Sequence, residues 1–239
     1  MKTLYRYRRT GESLDFTIEE IKGKLWCSAP KYLNDPFDGI GFAEPVIVNV
    51  PFNTTGDPLM AHLPNPYFVP NTLYSFVACF SEKWNNPPMW AHYSQFQGVC
   101  FGYDFEKLSE YVRKKKVFGL QQRGLLYEVE LNKVKYKKEF PVSVDNPSHF
   151  IKTNDWDYEE EWRIVVKGGD TDTPGLIIKT HDCLSEITIG HQTNELTTNT
   201  IFNVVKETGR NIPIYKSKII SGKAGYYRDL LPSLDSNIK

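Results

Sequence analysis

The sequence has no excess of charge of either sign and no long apolar run. Its 239 residues include 29 lysines and arginines against 29 aspartates and glutamates, so the formal net charge is zero. This balance excludes a protein whose overall charge drives it onto nucleic acid or an acidic membrane, although a local basic patch stays open. No apolar stretch reaches the ~18–20 residues that a membrane-spanning helix needs, so we expect no membrane association.

Cysteine is also scarce. The four cysteines (Cys27, Cys79, Cys100 and Cys183) lie far apart and form no CxxC pair. This spacing favours buried thiols over disulfides or zinc ligands. The opening residues, MKTLYRYRRTGESLDF, lack the apolar segment of a secretion signal. We therefore expect a cytoplasmic protein with reduced thiols.

Several common catalytic motifs are missing as well. The sequence has no GxxxxGK[ST] phosphate loop and no GxGxxG after a strand, which disfavours P-loop and Rossmann nucleotide sites. It has no HExxH and no GxSxG, so neither a zinc centre nor a nucleophile elbow is indicated. We expect a site without a metal ion.

The residues that are present are typical of a folded globular chain, with 40% hydrophobic, 14% aromatic and 24% charged. Strands are predicted near residues 4–8, 25–28, 73–80, 98–105, 125–132, 161–167, 175–180, 185–190 and 213–219, and helices near 17–22, 88–93, 106–116 and 196–207. Because the strands outnumber the helices and do not alternate with them, we predict a strand-rich α+β fold. Without a convincing linker, residues 1–239 form a single predicted domain, and residues 49–72 a long loop that could act as a lid.

The first cluster that could carry chemistry is acidic. If a strand begins near Glu159, then Glu159, Glu161 and Arg163 share one face of it. Two carboxylates this close repel each other, which raises one pKa unless a cation or a ligand hydroxyl is near. A solvated acidic turn, with Glu161 paired to an arginine, is an equally good interpretation.

The second cluster is the pair Arg6 and Arg8, which alternate with Tyr5 and Tyr7 on the opening strand. Arginine anchors phosphates and carboxylates because its planar fork donates two hydrogen bonds together. An edge strand protected by charge explains the same pattern.

Two further segments are less specific. Residues 34–38, NDPFD, predict a rigid turn, and residues 89–93, MWAHY, predict a helix on which Trp90 and Tyr93 share a face. His92 points elsewhere and is interpreted as structural. Residues 113–138 carry nine basic and two acidic side chains, as a nucleic-acid surface or a solvated face would.

Taken together, the motifs resemble a known family. The segments are LYRYR, LWCSAPKYLNDPFD, ACFSEKWNNPPMWAHYSQFQGVCFGYD, WDYEEEWRIVV and LSEITIG, in that order. They resemble the bacterial domain-of-unknown-function family numbered 2971, from Leu4 to about Gly190. The sequence departs from the usual pattern at LWCSAP, where Ser28 is the only serine, and at Phe96-Gln97, where a His-Lys pair is usual. The resemblance indicates a fold family and states no chemistry.

A second resemblance rests on single residues: an arginine on the first strand (Arg6 or Arg8), a serine on the next strand (Ser28) and an ExE pair (Glu159 and Glu161). In this order they resemble ADP-ribosyltransferases of the Arg–Ser–Glu type. That resemblance implies a split-sheet core in which Arg6 or Arg8 binds the pyrophosphate of NAD and Ser28 positions the nicotinamide ribose. It also implies that Glu161 stabilises an oxocarbenium-like state and holds the ribose 2′-hydroxyl, while Glu159 orients or deprotonates the acceptor. Tyr93 would cover the nicotinamide. NAD would be a substrate, and the acceptor a protein, a nucleic acid or water.

The resulting hypothesis is a mono-ADP-ribosyltransferase or NAD glycohydrolase, acting as a toxin or phage-defence effector. One alternative is a metal-dependent nuclease in which Asp35, Asp38 and Glu161 hold magnesium and residues 113–138 grip phosphates. Another is a non-catalytic module that binds nucleotides or nucleic acid.

Overall fold

β-Strands dominate the described part of the chain. The structure is a computed structural model, and it describes residues 2–11, 14–35, 75–113, 117–118, 126–138, 149–167, 173–223 and 225–232. Within these residues the strands are Thr3–Arg8 (β1), Lys24–Ser28 (β2), Ser75–Ser81 (β3), Val99–Asp104 (β4), Val117–Phe118 (β5), Leu126–Lys133 (β6), Lys135–Lys137 (β7), Ile151–Thr153 (β8), Glu161–Lys167 (β9), Gly175–Lys179 (β10), Leu184–Ile189 (β11), Ile214–Ile219 (β12) and Tyr226–Leu230 (β13).

The helices are fewer and short. They are Leu14–Ile21 (α1), Pro87–Ser94 (α2), Phe105–Arg113 (α3) and Glu195–Glu207 (α4). A 3₁₀ turn covers Asn154–Glu159 and leads directly into β9. No helix among the described residues is long and apolar enough to cross a membrane.

Eleven of the described strands form one sheet. Its main path runs β13-β12-β11-β4-β1-β3-β9-β6-β5, and β2 joins β3 to β10. Strands β7 and β8 form a separate parallel pair. The described elements therefore confirm the predicted strand-rich α+β class.

The sheet is interrupted between β1 and β3. Strand β1 pairs with β4 along its whole length, and β3 does the same with β9. Between β1 and β3, however, the register holds a single pair, Tyr5 with Ser81. The two strands consequently diverge beyond this point and leave a cleft beside residues 6–8.

The two faces of the sheet bury different clusters. The larger core collects aliphatic side chains of α1, α3 and α4, such as Ile21, Leu108 and Ile201. A smaller aromatic cluster on the other face includes Tyr7 and Trp90, whose rings meet edge to face at 5.2 Å. Because side chains alternate along β1, its tyrosines join the aromatic cluster while Leu4 joins the larger core.

The structure differs from the sequence predictions at one helix start and at the acidic turn, and it adds the strands β5, β7, β8 and β13. The helix predicted near residues 17–22 begins earlier, at Leu14, and Thr17 is buried with its hydroxyl donating to the carbonyl of Arg9. The strand predicted at residues 161–167 is β9, but Glu159 precedes it and does not share its face, because Glu160 adopts a left-handed conformation with φ of 45°. The lid predicted at residues 49–72 lies outside the described residues.

Candidate functional site

The six residues that the sequence assigns to an NAD site all border one cleft. Strand β1 contributes Arg6 and Arg8, β2 contributes Ser28, α2 contributes Tyr93, and the end of the 3₁₀ turn and the start of β9 contribute Glu159 and Glu161. The cleft lies at the break between β1 and β3 and has a volume of about 150 Å³. Glu161 therefore lines the same cleft as both arginines.

The basic and acidic groups approach this cleft from opposite faces of the sheet. Arg6 lies 5.8 Å from the ring centroid of Phe80 in the larger core. Glu161 alternates with Trp162, which packs on that core, so its carboxylate points to the face that carries α2. Only the divergence of β1 from β3 lets both sets of groups line one cavity.

Glu161 is a buried carboxylate with a full set of partners. Arg163 donates to both of its oxygens, at 2.8 and 2.9 Å, and the Lys152 ammonium lies 3.3 Å from Oε2. The thiol of Cys79 also hydrogen-bonds to it. Burial alone would raise the pKa of Glu161, but the charges of Arg163 and Lys152 outweigh burial and lower the pKa to about 2. Glu161 therefore carries a fixed negative charge.

Glu159 has fewer partners. Its carboxylate accepts one hydrogen bond from the Lys152 ammonium at 2.6 Å and another from the hydroxyl of Tyr93. Burial, followed by the charge of Glu161, raises the pKa of Glu159 to about 6. This carboxylate can therefore gain or lose a proton near neutral pH.

The two glutamates differ in what they can offer a ligand. A carboxylate has about four lone-pair sites. Arg163, Lys152 and Cys79 together occupy those of Glu161, whereas Lys152 and Tyr93 leave part of Glu159 free. The geometry consequently favours Glu159 as the glutamate that contacts a bound molecule.

The two arginines also differ. Arg6 donates to the carbonyl oxygens of Trp26 at 2.9 Å and Cys79 at 3.2 Å, so it ties β1 to β2 and β3. Arg8 donates through Nε to Glu20 at 2.8 Å, and its buried Nη2 has no hydrogen-bond partner in the described structure. Arg6 Nε is likewise buried without a hydrogen-bond partner among the described residues, although it lies 3.3 Å from Glu20. Arg8 makes fewer hydrogen bonds within the protein than Arg6, so it is the arginine better placed to bind an anion.

Glu20 on α1 fixes both guanidinium groups. One of its oxygens lies 3.3 Å from Arg6 Nε and accepts from the hydroxyl of Tyr103, and the other accepts from Arg8. Two arginines against one carboxylate leave a net positive charge at this side of the cleft.

Gly98 lies against the end of β1, where an added Cβ would come within 1.9 Å of the Arg8 carbonyl oxygen, so only glycine fits.

Helix α2 is fastened to the acidic turn by several hydrogen bonds. Asn86 caps the helix by accepting from Met89 N–H, and its amide donates to the carbonyl of Tyr158 at 2.5 Å. The Nδ1 atom of His92 lies 3.0 Å from the Tyr158 hydroxyl. These contacts hold Tyr93 against Glu159.

The remaining predicted features are partly described. Ser28 Oγ accepts from the indole N–H of Trp26 at 3.0 Å. Asn34 lines the cleft and Asp35 is buried, while Phe37 and Asp38 lie outside the described residues. In the basic segment, Tyr136 turns towards the site and its hydroxyl accepts from the backbone N–H of Glu161 at 2.8 Å.

A magnesium site does not fit Glu161, because its oxygens are already held by Arg163 and Lys152. Among the described residues no group of three or more His, Cys, Asp or Glu side chains is placed to hold a metal ion. The four cysteines all lie among the described residues and form no disulfide; Cys79 is half-buried and the others are buried.

Sequence analysis misses Lys152 and Glu20. A signal for Glu20 exists, since it falls between Thr17 and Ile21 on the buried face of α1. A signal for Lys152 is weaker: an acidic run entering a buried strand needs a nearby cation, but nothing in the sequence selects this lysine.

Comparisons with known proteins give one family match over part of the chain and no activity. No curated protein and no solved structure matches the chain, and the resemblance to ADP-ribosyltransferases finds no support there. The sequence model of the family described as "Protein of unknown function (DUF2971)" matches residues 89–164. That segment includes Tyr93, Glu159 and Glu161, whereas Arg6, Arg8 and Ser28 precede it. Over residues 89–164, therefore, the chain matches the DUF2971 family, as its motifs indicate.

Proposed function

We propose that the cleft binds NAD and breaks its nicotinamide–ribose bond, transferring ADP-ribose to an acceptor or to water. The observation that carries this proposal is the convergence of Arg6, Arg8, Ser28, Tyr93 and the two glutamates on one cleft. These residues come from β1, β2, α2, the 3₁₀ turn and β9, and the resemblance to Arg–Ser–Glu ADP-ribosyltransferases names all of them.

The break in the sheet supports the same proposal. A split-sheet core is what the resemblance implies, and here β1 and β3 share one residue pair before they diverge. We propose that this break is the equivalent of that split. NAD would lie across it, with its pyrophosphate on the arginine side and its nicotinamide ribose on the carboxylate side.

The charges suit the bond cleavage. When the bond between ribose C1′ and nicotinamide nitrogen breaks, the electron pair leaves with nicotinamide and the ribose becomes oxocarbenium-like. The permanently ionised Glu161 supplies negative charge on this side of the cleft, although Arg163 and Lys152 reduce its effect.

Glu159 has the properties of a general base. Its free lone pairs can accept from a ribose hydroxyl or from the acceptor, and it takes the proton as the acceptor oxygen or nitrogen bonds to C1′. Because the pKa of Glu159 is raised to about 6, it is mostly ionised at pH 7 and still able to hold a proton. The 2′-hydroxyl contact implied for Glu161 is therefore assigned to Glu159.

Arg8 is the proposed pyrophosphate ligand, because it keeps an unpartnered donor and sits where two arginines face one carboxylate. The cleft of about 150 Å³ is smaller than the ~300–1,000 Å³ typical of sites for drug-sized ligands. It suits one ring system of NAD, with the remainder of the molecule outside it. Tyr93 would border that ring.

The proposal is tested by incubating the purified protein with NAD labelled in its adenylate part, with and without cell lysate, and with and without EDTA. We expect free nicotinamide in every case, and label on protein or nucleic acid when the lysate supplies the acceptor. Cleavage of nucleic acid in the lysate that EDTA abolishes, without nicotinamide release, would favour the nuclease alternative. Tight NAD binding without nicotinamide release would indicate a non-catalytic binding module instead.

A further inference from the structure

Lys152 is a buried lysine that the proposed chemistry does not require as a ligand. It lies on the short strand β8, is 3% exposed, and its ammonium is 2.6 Å from Glu159 and 3.3 Å from Glu161. The ring of Trp156 lies 4.5 Å from the same ammonium. A lysine is rarely buried this far without a specific partner.

The charges around Lys152 balance in pairs. Arg163 is bound to Glu161 through two hydrogen bonds, so Lys152 is the cation left for Glu159. When Glu159 takes up a proton, Lys152 does not become an isolated buried charge, because Glu161 is already within 3.3 Å. Lys152 therefore keeps an ionised carboxylate partner in both protonation states of Glu159 without a large movement.

We propose that Lys152 is a positioning residue that keeps Glu159 ionised at neutral pH while leaving it able to accept a proton during the reaction. The general-base part of this inference rests on the proposed function. The electrostatic part concerns the protein alone and is open to test without NAD.

Other groups facing Glu159 do not replace Lys152. They are Glu161 on β9, Tyr93 on α2, Tyr136 on β7 and Tyr158 on the 3₁₀ turn, while Arg163 and Cys79 act on Glu161. Arg163 is the other cation at this site, and it donates to both oxygens of Glu161 and to the carbonyl of His149. Among the described residues, Glu159 without Lys152 would therefore face Glu161 with no cation of its own.

The test uses K152M and the double variant K152M/E159Q beside the wild-type protein, unfolded in urea at pH 8 and at pH 5. In K152M we expect a lower urea midpoint at pH 8 and recovery of most of that loss at pH 5. The reason is that a carboxylate whose folded pKa lies above its unfolded value stabilises only while it is protonated. Adding E159Q to K152M should restore the midpoint at pH 8.

Equal losses at pH 8 and pH 5, or a double variant no more stable than K152M at pH 8, would show that Lys152 acts only through packing and would overturn the inference. If K152M fails to fold at pH 8, the double variant must still fold. A double variant that also fails overturns the inference equally.

The catalytic part is read from the pH dependence of NAD turnover. K152M should move the acid limb to higher pH by about one to three units, and K152R, which keeps the charge, should move it less. An unmoved acid limb contradicts the inference. If the wild-type protein releases no nicotinamide, the proposed function fails while the urea midpoints still decide the role of Lys152.

Discussion

At the scale of single residues, the site depends on two glutamates whose surroundings differ although they are two positions apart. Glu161 is bound by Arg163 and Lys152 and stays ionised. Glu159 is bound by Lys152 and Tyr93 and holds its proton more strongly than a solvated carboxylate. One therefore supplies a fixed charge and the other an exchangeable proton.

Replacing each glutamate by glutamine should separate these roles. E159Q should lower NAD turnover about a hundredfold or more, because a general base is lost, without lowering the melting temperature at pH 8. E161Q should lower the melting temperature, since leaving Arg163 without its buried partner costs about 3–5 kcal/mol. Both are measured on the same preparations by nicotinamide release and thermal unfolding. Full turnover in folded E159Q would remove Glu159 from the mechanism.

Replacing each arginine by glutamine should likewise separate a role in NAD binding from a role in folding stability. R8Q should weaken NAD binding about tenfold, equivalent to about 1.4 kcal/mol, because Arg8 has an unpartnered donor and makes fewer hydrogen bonds within the protein than Arg6. R6Q should instead cost about 2–3 kcal/mol of folding stability, since the carbonyls of Trp26 and Cys79 lose a charged donor. Calorimetric NAD titration and urea unfolding measure these effects. If R6Q weakens NAD binding and R8Q lowers only the stability, Arg6 is the ligand instead.

His149 should make folding sensitive to acid. Burial, followed by the charge of Arg163, lowers its pKa from 6.5 to about 4. Between these pH values the unfolded chain binds a proton that the folded chain does not. The free energy of unfolding therefore decreases as the pH is lowered, by about 3 kcal/mol over the whole interval.

Glu159 acts in the opposite direction between pH 4.5 and about 6, so the wild-type curve alone is ambiguous. The measurement is therefore the difference between H149Q and wild type in urea at pH 7 and pH 4.5. We expect H149Q to lose less stability over this interval. Equal losses of stability in H149Q and wild type would contradict the lowered pKa of His149.

At the scale of elements, α2 connects the aromatic cluster to the acidic turn. Its N-cap, Asn86, holds both the helix and the carbonyl of Tyr158. The chain offers a matched control in Asn194, which caps α4 by accepting from Thr197 N–H at 2.8 Å.

N86A and N194A should each cost about 1 kcal/mol of stability, the usual loss of an N-cap. Only N86A should also reduce NAD turnover, because α2 carries Tyr93. Thermal unfolding and nicotinamide release on both variants test this. A similar loss of turnover in N194A would mean that activity follows stability rather than the position of α2.

The main strands could be predicted because their apolar residues recur with the period of a strand or form short buried runs. Around Glu159 the same rule fails. The alternation of Glu159, Glu161 and Arg163 suggests one strand, but the left-handed Glu160 ends a 3₁₀ turn between the glutamates. Local sequence does not reveal that turn, because it is fixed by contacts to distant residues such as Asn86.

The residue types of the candidate site could be predicted from the sequence, but the hydrogen bonds and ion pairs among them could not. Arginines, a serine and paired glutamates in a known order indicate which side chains to compare. The choice between Arg6 and Arg8 depends on which backbone carbonyls come near, and that is a property of the folded sheet. Lys152 stays hidden for the same reason, since its role follows from where β8 packs.

At the scale of the molecule, the break between β1 and β3 determines which charged groups line the cleft. It joins the positive side, where Arg6 and Arg8 share Glu20, to the side where Lys152 and Arg163 balance the charges of Glu159 and Glu161. A molecule with an anionic part would place that part at the arginines, and a part that becomes cationic in reaction would lie against the glutamate oxygens. NAD has these two features.

The most direct measurement is a crystal structure of E159Q with NAD bound, since this variant should bind the substrate and turn it over slowly. The account predicts intact NAD across the break between β1 and β3, with its pyrophosphate at Arg8 and its nicotinamide ribose beside residue 159 and Tyr93. NAD bound elsewhere on the protein, or a well-folded variant that binds no NAD in solution or in the crystal, would contradict it.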